Sequence, residues 1–210
     1  MGDQYLLVAQ SIASYITPQE YLEWEETQEE RHEYHDGVIV AMSGGSRNHS
    51  VICNSLASAL TVQLRSRPCE THSGGIKVYI EHCNRYFYPD TAVICGQPAY
   101  TNNRVDSVSN PIVVVEVLSE STEHFDRTIK LDCYGTVASI HSCLLVSQRE
   151  HRIEKYSRIS GKPSWEFTAY TGIDAVVPLP EIDCELRASE VYERIEFAPV
   201  VTEDVQEIAQ

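Results

Sequence analysis

Basic side chains are scarce: 16 Lys and Arg stand against 31 Asp and Glu, a formal net charge of −15 over 210 residues. An acidic chain meets long-range repulsion on approaching a polyphosphate, which excludes a non-specific DNA coat. A nuclease with a local basic groove survives that argument. Part of the acid is confined to "YLEWEETQEE" near the start and "EFAPVVTEDVQEIAQ" at the end. Also lacking is any run of the roughly 18 apolar residues that a membrane helix needs. The first residues carry neither the basic region nor the long apolar region of a secretory signal. A cytoplasmic protein with no membrane partner is therefore expected. The cysteines, at 53, 69, 83, 95, 133, 143 and 184, form no CxxC pair. That removes the usual spacing of a structural zinc site and leaves reduced thiols in or near the core as the expectation. His32, His35 and His49 lie close together and read as surface or hydrogen-bonding residues rather than a metal set.

There is no internal repeat and no low-complexity linker. With 42% hydrophobic and 22% charged residues, the composition is that of an ordinary globular chain. One domain over residues 17–195 is expected, with an N-terminal extension at 1–16 and an acidic C-terminal tail at 196–210. "TPQEYLEWEETQEERHEY" reads as a helix: Thr17 caps it, Pro18 suits its first position, and Glu20 completes a capping box. "HDGVIVAMSGGSRN" reads as a turn, a short strand and a Gly-rich turn. In "HSVICNSLASALTVQLRSR", Ile52, Leu56, Ala59, Leu60 and Leu64 recur at helical spacing up to Pro68. Strands follow in "CETHSGGIKVYIEHCNRYFYPDTAVICG" and "NPIVVVEVLS", then a helix in "STEHFDRTIKLDCYGTVAS", then a strand and a hairpin. This order predicts an α/β fold with a mixed sheet.

Two carboxylates stand out because they interrupt strand-like runs. Asp90 follows Pro89 in "RYFYPDTAVI", and Glu116 sits among valines in "NPIVVVEVLS". Alternation puts Ile112, Val114, Glu116 and Leu118 on one face of a strand and Val113, Val115 and Val117 on the other, so both faces are expected to be buried. A lone buried carboxylate costs several kcal/mol unless it is paired or holds a cation. Two of them in neighbouring strands suit one divalent ion, and hard oxygen ligands favour Mg²⁺ or Mn²⁺. Lys130 on the next helix and Glu33 in "RHEYHDG" are candidates to complete the set. Carboxylates, a divalent ion and a lysine beside a metal-activated water form a site for phosphodiester hydrolysis. Taken singly, each has a plainer reading: Asp90 a turn, Lys130 an ion pair with Asp126, Glu33 a solvated helix face.

The stretches "EYLEWEETQEERHEYHDGVIVAMSGGSRNHS", "RYFYPDTAVICG", "NPIVVVEVLSESTEHFDRTIKLDCYG" and "LLVSQREHRIEKYSR" together resemble the Uma-two family of restriction endonucleases, within the PD-(D/E)XK nuclease superfamily. The resemblance implies a restriction-endonuclease-like fold, a central mixed β-sheet flanked by α-helices. It implies an Mg²⁺- or Mn²⁺-dependent endonuclease acting on DNA, as a homodimer by analogy within the superfamily. Carried over by position, it makes Glu33, Asp90 and Glu116 metal-binding acids and Lys130 the catalytic lysine. Leu118 occupies the place two after Glu116 where the superfamily usually has that lysine. Around these four, His49, Asp126, Arg127, Tyr134 and Gln148 are candidates for supporting or substrate-contacting roles. Arg47, Lys77, Arg85, Arg127 and Arg152 are candidates to line a substrate groove. The competing expectation, favoured by the net charge, is a nuclease-like fold used for binding or scaffolding without catalysis.

Overall fold

The computed structural model describes residues 15–42, 44–160, 162 and 164–197. The expected N-terminal extension and acidic tail lie almost wholly outside these residues. At the centre is β9 (Val113–Leu118), every residue of which is buried. It runs parallel to β10 (Ser142–Ser147) and antiparallel to β6 (Thr91–Cys95). β11 (Arg152–Arg158) and β12 (Trp165–Thr171) extend the sheet beyond β10. β3 (Cys69–Ser73) closes it beyond β6, giving the order β12-β11-β10-β9-β6-β3.

Both faces of this sheet are covered, as the valine run requires. Val113, Val115 and Val117 pack against Ile52, Leu56 and Leu60 of α2 (Arg47–Leu64). The hairpin of β13 (Val176–Leu179) and β14 (Cys184–Arg187), with α5 (Ala188–Val191), joins the same core. Val114 and Leu118 face the other way, onto a layer made partly by a second sheet. That sheet has the order β2-β1-β5-β4-β8-β7. Its strands are β1 (His32–His35), β2 (Val38–Ala41), β4 (Lys77–Ile80), β5 (Arg85–Phe87), β7 (Tyr100–Thr101) and β8 (Arg104–Val108). The architecture is the expected α/β fold with a mixed central sheet, enlarged by this second mixed sheet. Among the described residues no helix is long and apolar enough to cross a membrane.

Local structure departs from expectation in four places. First, the N-terminal helix α1 (Pro18–Glu25) has the expected Thr17–Glu20 capping box but stops early. The side chains of Thr27 and Gln28 donate to the Trp24 carbonyl and consume a helix-end acceptor, so the chain turns and Glu33 lies on strand β1. Second, "RYFYPDTAVI" is two strands. Pro89 has no N–H to donate to a ladder, and around it the chain leaves β5 in one sheet and enters β6 in the other. Asp90 sits in that crossing, immediately before β6. Third, the helix after β9 is not uniform. α3 (Glu123–Phe125) passes through a π turn, Asp126–Lys130, into α4 (Leu131–Thr136). Fourth, four cysteines are paired where free thiols were expected. The antiparallel register sets Cys69 opposite Cys95, and those two are bonded. Cys83, just before β5, is bonded to Cys133 of α4. Separations of 26 and 50 residues form no motif, so pairing depends on the folded register. Cys53, Cys143 and Cys184 are free and buried.

Candidate active site

The β1–β2 hairpin, tightened by Asp36 and Gly37 at φ of 44° and 95°, holds Glu33 rigidly on β1. Its carboxylate is 8% exposed and reaches toward the central sheet. There Glu33 Oε1 lies 3.0 Å from Lys130 Nζ and accepts the Tyr88 N–H at 3.2 Å, while Oε2 meets His35 Nε2 at 3.0 Å. Glu116 projects from the middle of β9 toward the same ammonium, with Oε1 at 3.2 Å from Nζ. Tyr134 donates its hydroxyl to that Glu116 oxygen at 2.6 Å. Asp126 Oδ1 is the third carboxylate oxygen around Lys130, at 3.5 Å. The π turn puts Asp126 and Lys130 on the face toward the sheet, and Tyr134 follows one turn later. π turns inside helices recur at functional sites.

Asp90 flanks this cluster. Its Oδ2 accepts the Val117 N–H at 2.7 Å, which fixes it at the edge of β9, and His49 Nε2 lies 3.3 Å from the same oxygen. His49 stands in the first turn of α2, whose N-cap is Ser46. Gln148, just after β10, donates to the Leu118 carbonyl at 2.7 Å and accepts from Ser46 Oγ. It therefore ties the start of α2 to the end of β9.

The charges in the cluster are strongly coupled. Burial pushes Glu33 up, but Lys130 and His35 outweigh it, so its carboxyl titrates below the usual range. Glu116 goes the other way. Burial raises it, and the charges of Asp126 and Asp90 add to that, against Lys130 and the Tyr134 hydroxyl. Asp126 is also raised, chiefly by burial. Burial alone would lower Lys130, but Glu116, Glu33 and Asp126 hold its pKa well above the ordinary lysine value. Two neighbouring carboxylates driven apart in this way, around a permanently charged lysine, are the arrangement from which acid–base sites are built.

Among the candidates, Glu33, Glu116, Lys130, Asp126 and Tyr134 meet directly, and Asp90 adjoins them through the β6–β9 pairing. Arg127 does not touch Lys130. Its guanidinium pairs with Glu154 and, at 2.8 Å, with Glu123. The groove candidates are also largely committed elsewhere: Lys77 to Asp106, Arg152 to Glu154, and Arg47 to the Arg194 carbonyl. Two neighbours of the site were not foreseen. His35 braces Glu33, and Cys53 Sγ lies 3.5 Å from His49 Nδ1. The His49–Cys53 spacing of four on one helix was the signal available for the second. Carboxylate oxygens are the donors that a hard divalent cation takes, and those of Glu33, Glu116 and Asp126 surround the Lys130 ammonium.

Residues 18–189 match the model of the Uma2 family, described as "Putative restriction endonuclease". Two uncharacterized proteins of Synechocystis sp. are similar. One, slr1290, is 35% identical over 87% of this chain and 94% of its own length. The other, sll1609, is 33% identical over 77% of this chain and 91% of its own. A solved structure from Anabaena variabilis, named "a putative nuclease belonging to DUF820", superposes with a TM-score of 0.69. It shares 19% identity and covers 85% of this chain and 98% of that one. The chain belongs to the Uma2 family, and its fold is restriction-endonuclease-like.

Proposed function

We propose that the protein is a divalent-cation-dependent endonuclease hydrolysing DNA phosphodiester bonds at the cluster of Glu33, Asp90, Glu116 and Lys130. The observation that carries this reading is a buried lysine ringed by carboxylates against the central sheet, in a chain of a nuclease family. Asp90 and Glu116, with Glu33 beside them, would hold Mg²⁺ or Mn²⁺. When bound, such a cation acidifies the attacking water and screens the phosphate charge. Lys130 stays protonated through neutral pH, so it serves as a fixed positive charge for the phosphoryl oxygens and not as a general base. Tyr134 holds Glu116, His35 and the Tyr88 N–H hold Glu33, and the Val117 N–H holds Asp90. Each acid is thereby fixed before substrate arrives, which lowers the cost of reorganisation. The same reading takes the protein as a cytoplasmic homodimer acting on duplex DNA.

Supercoiled plasmid incubated with the protein and Mn²⁺ or Mg²⁺ at low salt tests this. Nicked and linear products that vanish with chelator are expected; intact plasmid under every divalent ion, with DNA or a partner protein still bound, would favour the scaffold role instead. The direction of the Glu116 shift gives a second prediction. The cation binds the carboxylate form, and Glu116 is held protonated above the ordinary range, so binding must release its proton. Affinity for Mn²⁺ will rise with pH up to the folded pKa of Glu116 and level off above it. Calorimetric titrations in two buffers of different ionisation enthalpy will report this release at the acid end. Equal heats in both buffers at every pH would show that Glu116 is already ionised or stands apart from the cation.

A further inference from the structure

We infer that the protein carries a second, chemically distinct metal site, formed by His49, Cys53 and Asp90, which takes a borderline-soft transition cation such as Zn²⁺ and thereby switches the nuclease centre off. The off-switch rests on the nuclease reading above; the site itself does not.

The three side chains come from two elements. His49 and Cys53 are one turn apart on α2, on the face toward the sheet, and Asp90 stands in the crossing before β6. One ligand atom from each lies within 4.8 Å of the other two. His49 Nε2 is 3.3 Å from Asp90 Oδ2, and Cys53 Sγ is 3.5 Å from His49 Nδ1. With bonds of about 2.0 Å to nitrogen or oxygen and 2.3 Å to sulfur, ligand atoms around tetrahedral zinc sit roughly 3.3–3.8 Å apart. His49 meets Asp90 through Nε2 and Cys53 through Nδ1, and only one ring nitrogen can bind the ion, so the bound that applies to the whole ligand set is the 4.8 Å one and side-chain rotation must draw the set in around the ion. The ring is also seated by its surroundings. A Cβ on Gly45 would fall 2.7 Å from His49 Nδ1, so the glycine lets the loop close against the imidazole.

The donor set selects the ion. Thiolate, imidazole and carboxylate together suit Zn²⁺ and its neighbours and are a poor match for Mg²⁺, which demands oxygen. Three protein ligands leave a fourth position for water, as in open zinc sites. On binding, Cys53 gives up its thiol proton to solvent and His49 binds through one neutral ring nitrogen. Asp90 is the shared element. It cannot serve both ions fully, and a second dication a few ångströms away also repels the first. Zn²⁺ here competes with Mg²⁺ or Mn²⁺ for Asp90.

Co²⁺ is the probe, because a thiolate bound to it gives a charge-transfer band in the near ultraviolet that other ligands do not. Titrating the full chain with Co²⁺ should produce that band in wild type and lose it in Cys53→Ala. Affinity should fall at least roughly tenfold, the loss that removing an outer-shell partner alone can cause. Zn²⁺ should bleach the wild-type band. A Cys53→Ser variant and a circular-dichroism spectrum guard against a folding defect, and His49→Gln should weaken Co²⁺ binding as well. In the plasmid assay with Mn²⁺, Zn²⁺ should inhibit wild type, and Cys53→Ala should cut at the wild-type rate while needing at least about tenfold more Zn²⁺. A band that persists without Cys53, or no band in wild type, overturns the site. A Cys53-dependent band in a protein that cuts nothing keeps the site and rejects the nuclease reading. Inhibition equal in wild type and Cys53→Ala rejects the off-switch.

Discussion

Glu116→Gln will reduce plasmid cleavage by at least about a thousandfold, while the protein stays folded with a melting temperature near that of wild type. The two halves of this expectation have separate causes. Glutamine is isosteric and keeps an oxygen for the Tyr134 hydroxyl, so the packing of β9 between β6 and β10 is undisturbed. The wild-type carboxyl is already driven toward its neutral form by burial, so removing its charge relieves a cost and leaves no cavity. Lys130 keeps Glu33 and Asp126 as counter-charges. Catalysis has no such substitute, because a neutral amide at the centre of the sheet is a weak ligand for a hard dication. A thousandfold corresponds to about 4 kcal/mol of transition-state stabilisation, the scale of losing one preorganised electrostatic group. Cleavage rates and thermal melts on the same preparations check both halves. Wild-type cleavage by Glu116→Gln would remove Glu116 from the site.

The second large effect is on stability. Lys130→Met leaves Glu33, Glu116 and Asp126 facing one another with no cation between them. Stranding buried charge this way costs about 3–5 kcal/mol. The loss should depend on pH with a definite sign. In wild type Glu33 titrates below the usual range, so its contribution is present above the unfolded value and is lost as pH falls through the folded one. Without the lysine, burial and mutual repulsion raise the folded carboxylates. Their contribution is then present below the unfolded pKa and disappears as pH rises through the folded values. The variant should be most stable in mild acid and weakest above neutrality, and Mn²⁺ should restore it by replacing the missing charge. Urea unfolding across pH 5–8, with and without Mn²⁺, reads this directly. A variant as stable as wild type at pH 8 without metal would mean that the carboxylates do not depend on Lys130.

How much of this was legible in the sequence follows from how local each cause is. Glu116 could be placed because the valines on either side already demand burial of both faces, and the structure sets Val113, Val115 and Val117 against α2 as alternation requires. Asp90 was singled out for a less accurate reason. It was read as lying inside one strand, whereas Pro89 breaks that run and the chain changes sheets there. The break puts the carboxylate beside β9, where the Val117 N–H can hold it. Glu33 and Lys130 had little local signature: each was a candidate by its place in the sequence, and the family resemblance gave it a role. The position of Glu33 depends on α1 ending early at Thr27 and Gln28, and that of Lys130 on a π turn. The second sheet and the Cys69–Cys95 and Cys83–Cys133 bonds arise from pairings between distant residues, which spacing does not encode.

The measurement that bears most directly on the site is a calorimetric titration of Mn²⁺ into wild type and into the Asp90→Ala, Glu116→Ala double variant, at low salt and with a cleavable DNA present under chelator-free conditions. Saturable Mn²⁺ binding in wild type that disappears in the folded double variant, together with loss of cutting, is the result predicted. Equal Mn²⁺ binding and equal cutting by both proteins would contradict the placement of a catalytic cation at Asp90 and Glu116.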